Sequence, residues 1–220
     1  MEIILDEPLK NVVRVGVALF TGIVNPPDGG DAIWALFSDL SDTLCRQHKG
    51  KTAAQVDGVQ DARKFYRAVG LDPTKTRPSS EALLRRSLKG KGVYRVHPVV
   101  DLLNYVSLKQ LMPVGLYDIS KIEGEQVRIV IGGADWGFDG IRKARVNVSG
   151  RLCVTDALGP FGSPTSDSLR TSINGHVTDA LVLFYQSIEG DARFLTDSLA
   201  LTVSLVSKHI CGQAILQQIL

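Results

Sequence analysis

The hydrophobic pattern of this 220-residue chain changes period around Pro113 and Gly115, and that change limits the fold more than any other feature. Upstream, apolar residues mostly recur at helical spacing. Downstream, they alternate or gather in β-branched runs. Ile33, Leu36, Phe37, Leu40 and Leu44 predict an amphipathic helix over 31–47, with Trp34 on its edge. A second helix is expected over 53–69, ending at Gly70. A third opens at Pro78 and Ser79, where Ser79 is the expected cap and Glu81 favours the first turn, and it stops at Gly90 and Gly92. A fourth begins at Pro98, with Val99, Leu102, Leu103 and Val106 on its apolar face. Before these helices, Val12 to Thr21 reads as a strand, followed by a Pro/Gly loop over 25–30. After Gly115, strands are expected over 126–131, 145–148, 151–155 and 177–187, with Gly-rich turns between them. A last helix over 191–210 carries the stripe Leu195, Leu199, Val203, Val206 and Ile210. The fold class predicted is α+β, with a mixed or antiparallel sheet packed with helices. No repeat or convincing linker divides the chain, so one domain over 1–220 is expected.

Several function classes are disfavoured by composition. Cys45, Cys153 and Cys211 are odd in number and far apart, so they make neither a disulfide framework nor a C-x-x-C metal pair. The first ten residues lack a basic, apolar leader, and the five-residue run Ala180–Phe184 is too short to span a bilayer. The expectation is a cytoplasmic protein with no membrane partner, no metal and no cofactor. Asn147-Val148-Ser149 is a formal glycosylation triplet of a very common kind. Gly50-Lys51-Thr52 is like the end of a phosphate loop, but Cys45 stands where the leading Gly belongs and a helix, not a strand, precedes it.

Net charge is only +2, yet it is unevenly spread. Between Ala62 and His97 lie ten Lys and Arg against two acidic residues, whereas the rest of the chain holds 15 basic and 21 acidic residues. Arg77, Arg85, Arg86, Lys89, Lys91 and Arg95 are therefore candidates for contacting a polyanion such as RNA. The competing reading is a solvated basic face balanced in space. Glu81 and Arg85, four apart, have the spacing of an intrahelical ion pair.

Within the fourth helix, Asp101, Asn104 and Ser107 form a polar stripe. The text Val99-Val100-Asp101, then Asn104-Tyr105-Val106, then Pro113 and Asp118, resembles the editing domain of the phenylalanyl-tRNA synthetase β subunit, built from its third and fourth B modules. DALGPFGSPTSDSLRTSI (Asp156–Ile173) resembles that family's Gly-rich, hydroxyl-bearing loop, and RPSSEALLRR resembles its free-standing relatives. The synthetase-like core covers about 77–187.

The resemblance implies an editing-domain-like fold and a protein that binds the acceptor end of tRNA and its aminoacyl group. It implies hydrolysis of mischarged aminoacyl-tRNA in trans, by a positioned water with hydrogen-bond donors on the developing oxyanion. It places Asn104 in the pocket, holding the substrate. Eleven residues on, the family has a His where this chain has Gly115. Ser163, Thr165, Ser166, Asp167, Arg170 and Thr171, in a loop over 159–171, are the expected substrate-binding groups. Asn104, Gly115 and part of that loop are expected to line one cavity. The structural alternatives are an Asn104 that braces a neighbouring loop, a self-satisfied 159–171 loop, and an Asp101 that holds a backbone N–H. Trp136 and Phe138 either wall a pocket or pack. With the His absent, a non-catalytic tRNA- or amino-acid-binding module stands beside the deacylase, and an enzyme acting on a free amino-acid derivative is a third possibility. The chain has no ATP-binding motif of a complete synthetase.

Overall fold

The structure, a computed structural model, describes residues 1–141 and 145–220. In chain order the elements are β1 (Glu2–Leu5), β2 (Val13–Thr21), α1 (Asp31–Gln47), α2 (Val59–Ala68), α3 (Ser79–Leu88) and α4 (Pro98–Gln110). There follow β3 (Val114–Asp118), β4 (Gln126–Ile131), β5 (Gly137–Phe138), β6 (Val146–Asn147), β7 (Leu152–Asp156), β8 (Gly159–Ser163), β9 (Ser166–Asp167), β10 (Ala180–Ser187), α5 (Arg193–Ile210) and β11 (Gln213–Ile219). The class is α+β. One sheet has the order β1-β4-β7-β8-β9, the second β11-β2-β10-β3, and β5 and β6 form a small ribbon. β1 pairs parallel with β4, and the other strand pairs are antiparallel.

Period-two patterning explains the layers. Val13, Val15, Val17 and Leu19 of β2 share a core with Leu181, Leu183 and Tyr185 of β10, and from the other sheet with Val127, Ile129, Leu152 and Val154. The alternate residues Ala18, Phe20, Val182 and Phe184 face Leu102, Leu103 and Val106 of α4 and Leu195, Leu199 and Val206 of α5. Both faces of β2 and β10 are thus covered, and every residue of β10 is buried. Each such aliphatic side chain contributes about 1.5–3 kcal/mol on burial. Gly16 lets α5 approach β2, since a Cβ there would lie 3.1 Å from Leu195 Cδ2. A third cluster of Phe37, Leu83, Leu84 and Leu108 joins α1, α3 and α4. Phe138 packs with Val130, Val146, Val148 and Cys153 beneath the ribbon, while Trp136 is partly exposed.

Some local expectations change. The helix expected over 53–69 is a short 3-10 turn (Ala53–Gln55) followed by α2. Gly58, at φ 87°, adopts a left-handed conformation that interrupts the helical run. The 159–171 segment is a tight β8–β9 hairpin with a short tail, because Gly162 pairs with Asp167 and Ser163 with Ser166. Pro78, not Ser79, occupies the cap position of α3, with no side-chain cap. α4 is capped by His97, whose Nδ1 accepts the Val99 N–H (3.3 Å) while Nε2 donates to Gly175 O (3.0 Å). Glu81 pairs not with Arg85 but with Arg63 and Arg77, tying α2 to α3.

Candidate functional site

α4 presents Asn104 half-buried, between positions that face α5 and positions that face α3. Its amide makes no hydrogen bond to the described residues, so it is available to a ligand or to water. Asp101, one turn earlier, is buried and accepts the Val96 N–H at 3.0 Å. Burial raises its carboxyl above the ordinary range, against the pull of that hydrogen bond. Its place is to hold the entry to α4.

Gly115 lies on β3 opposite Leu183 of β10. The Tyr117 ring occupies the space beside it: a Cβ at Gly115 would come within 2.5 Å of the Tyr117 hydroxyl, and one at Gly162 of β8 would overlap the same group. Two glycines on different strands therefore make a slot that this phenol fills. The Tyr117 ring meets Phe161 edge-on at 5.0 Å between centroids. Its hydroxyl lies 3.5 Å from that of Tyr185 and beside the Asp167 carboxyl group. Tyr66 donates to Pro164 O at 2.7 Å, which fixes the tip of the hairpin. The structure thus brings Gly115 and the hairpin together around Tyr117. A cavity of about 50 Å³ lies between Ala62, Met112, Pro113, Tyr185 and Phe194.

Asp167 has no cationic partner among the described residues. Burial pushes its carboxyl up to about 7, although the Tyr117 hydroxyl pulls it down. Burial likewise raises Tyr117 and Tyr185 well above the usual phenol range and Cys153 to about 12. This phenol–carboxyl cluster joins β3, β9 and β10. Nothing in the spacing of Tyr117, Asp167 and Tyr185 announces it, since strand pairing alone makes them neighbours.

The hairpin hydroxyls bond largely to their own turn. Ser163 Oγ donates to Ser166 O at 3.1 Å and lies 3.1 Å from Thr165 Oγ1, and Ser166 Oγ donates to Thr165 O at 2.7 Å. Thr171 is buried, its hydroxyl 3.0 Å from that of Ser168. Arg170 makes a bidentate pair with Asp156 (2.8 and 2.9 Å), donates to Lys121 O and lies over the Phe161 ring. Thr165, Ser166 and Asp167 are the hairpin residues among these with partial exposure that no ion pair occupies.

The basic candidates divide. Arg77 pairs with Glu81, Arg95 pairs with Asp31 and donates to Gly29 O, and Arg86 donates to Gly92 O and lies over Tyr94. Arg85, Lys89 and Lys91 are exposed, and their side chains have no hydrogen bond or ion pair to the described residues. A buried hydrogen bond of 2.8 Å between Ser41 of α1 and Ser87 of α3 brings the C-terminal part of α1 beside these cations. Arg46, Lys49 and Lys51, exposed at that end, extend the basic surface. The run Arg46-Gln-His-Lys-Gly-Lys51 carried that signal, but lay outside the segment singled out by charge. Among the described residues no three His, Cys, Asp or Glu side chains gather as a metal site, and no helix is long and apolar enough to cross a membrane.

Among solved structures, the fold is similar to an N-terminal fragment of the phenylalanyl-tRNA synthetase β subunit from Pyrococcus horikoshii. The TM-score is 0.51 at 10% identity, over 97% of this chain and 50% of that one. This chain therefore spans half the length of the fragment, and the likeness is one of fold. No curated protein matches. The sequence profile of the B3/4 domain matches residues 61–185, a stretch that holds Asn104, Gly115 and the β8–β9 hairpin together. With more than half of its length so matched, the chain belongs to the B3/4 domain family.

Proposed function

We propose that this chain is a free-standing editing domain that binds the acceptor end of a mischarged tRNA and hydrolyses its aminoacyl ester in trans. The observation that carries the reading is the B3/4 match over 61–185, which takes in α4 and the hairpin in one family unit. Asn104, whose amide has no partner among the described residues, holds the amino or carbonyl group of the substrate. Thr165, Ser166 and Asp167 line the side closed by the hairpin. A positioned water attacks the ester carbonyl, and hydrogen-bond donors stabilise the oxyanion. Arg85, Lys89 and Lys91 meet phosphates of the acceptor stem, and the work is done in the cytoplasm without metal or cofactor.

The test is release of amino acid from tyrosyl- and phenylalanyl-tRNA by purified protein. Wild type is expected to shorten the ester lifetime, and Asn104→Ala to return it towards the uncatalysed value. Equal rates for wild type, variant and buffer would refute the enzyme. One observation favours a second reading, a tRNA- or aminoacyl-binding module without chemistry. The position of the family's His is Gly115, and Tyr117 fills the space beside it. That module would protect the ester from hydrolysis or leave its lifetime unchanged, while still retaining the charged tRNA on a filter.

A further inference from the structure

β11 is an edge strand: it pairs with β2 on one side, and no backbone hydrogen bond among the described residues closes the other. Leu220 and Val15 exchange two hydrogen bonds of 2.9 Å, so the backbone groups of Leu220 point to β2. Orientation alternates along an antiparallel strand. Gln218 and Leu216 therefore also turn their N–H and C=O inward, while Ile219 and Gln217 turn theirs to the open edge. The same alternate residues, Gln213, Ile215, Gln217 and Ile219, are exposed. Ile215 is 62% and Ile219 40% accessible.

We infer that β11 is the interface of a symmetric dimer, its open edge pairing antiparallel with β11 of a second copy. The occupant follows from the strand's own pattern. A two-fold axis at Gln217 places each Gln217 opposite its equivalent, and sets Ile215 against the second copy's Ile219. These are the residues that are exposed, and Gln217 and Ile219 have free backbone groups. The Gln217 pair exchanges two backbone hydrogen bonds, and the isoleucines gain cross-strand contact. No residue from Cys211 to Leu220 is charged, so self-pairing opposes no like charges. The edge also lacks Lys and Pro, the usual guards against pairing. A bulge between Ala214 and Leu216 bends only its start. The contact is isologous and closes, joining two four-stranded sheets into one of eight strands.

Light scattering from about 1 to about 200 µM protein tests this, because dimerisation is concentration-dependent. The expected mass rises with concentration towards twice 23.9 kDa. Gln217→Pro removes an N–H that faces away from β2, and Ile215→Lys puts like charges on both copies. Either is expected to hold the mass at that of one chain, with an unchanged circular dichroism spectrum. If Gln217→Pro misfolds, Ile215→Lys decides. A wild type that stays monomeric throughout, doubles only when tRNA is added, or keeps its dimer with a folded Ile215→Lys variant would overturn the proposal.

Discussion

Replacing Asp167 by Asn probes the cluster beneath the hairpin. In the folded chain the carboxyl is raised from 3.8 to about 7, chiefly by burial, and no cation among the described residues opposes the change. Below pH 4 the folded and unfolded chains both carry the proton, and the residue adds nothing to the pH dependence. Between 3.8 and about 7 the unfolded chain has released it while the folded chain retains it, so stability falls as pH rises. Above about 7 both are ionised and the loss is constant. Three pKa units correspond to about 4 kcal/mol at most, and residual contact with solvent reduces the expectation to about 2 kcal/mol. Asparagine does not titrate and has nearly the same shape as the protonated carboxyl it replaces. Urea unfolding of both proteins at pH 5 and pH 8 gives the difference, in which other titrating groups cancel. The neighbouring Tyr66, Tyr117, Tyr185 and Cys153 are all raised by burial and stay protonated across this range. Asp167→Asn should gain about 2 kcal/mol relative to wild type between pH 5 and pH 8. Parallel pH profiles for the two proteins would refute the argument.

Two further outcomes are expected. Glu81→Ala should lower stability by about 3 kcal/mol, because it strips the bidentate partner from the largely buried Arg63; chemical unfolding measures this, and a loss under about 1 kcal/mol would show the pair to be dispensable. If Arg85, Lys89 and Lys91 each meet a phosphate, tRNA affinity should fall with salt at a log–log slope of about −2 to −3. Reversing Lys89 and Lys91 to Glu should flatten that slope while leaving hydrolysis of a short aminoacyl-ester mimic unchanged, and salt-independent binding would return these residues to a plain solvated face.

The ends of the long elements were legible because their signals are local. Pro98 and the spacing of Val99, Leu102, Leu103 and Val106 mark α4, and the stripe from Leu195 to Ile210 marks α5. The hairpin reads as a loop in the sequence because its strands are short, with β9 only two residues long, and rich in Gly, Pro and Ser. Glu81 shows the same limit. Four-residue spacing favoured Arg85, but the helix buries Glu81 against α2, where Arg63 waits from 18 positions upstream, and Arg85 faces solvent. The basic segment was visible as composition; which cations are already committed to protein partners was not.

Sequence by itself determined the α+β class, the places of the main helices and strands, the family likeness in the stretch around Asn104, and the concentration of positive charge. All of these rest on periodicity, cap chemistry and residue identity within short windows. Only tertiary structure decided that Tyr117 fills the slot between Gly115 and Gly162, that Asp167 lies against buried phenols, that Arg170 is clamped on Asp156, and that β11 leaves an edge open among the described residues. Each of these depends on strands far apart in the chain being hydrogen-bonded in one register. A residue's charge state and partners are set by whatever that register brings within a few ångströms, and no local pattern encodes it.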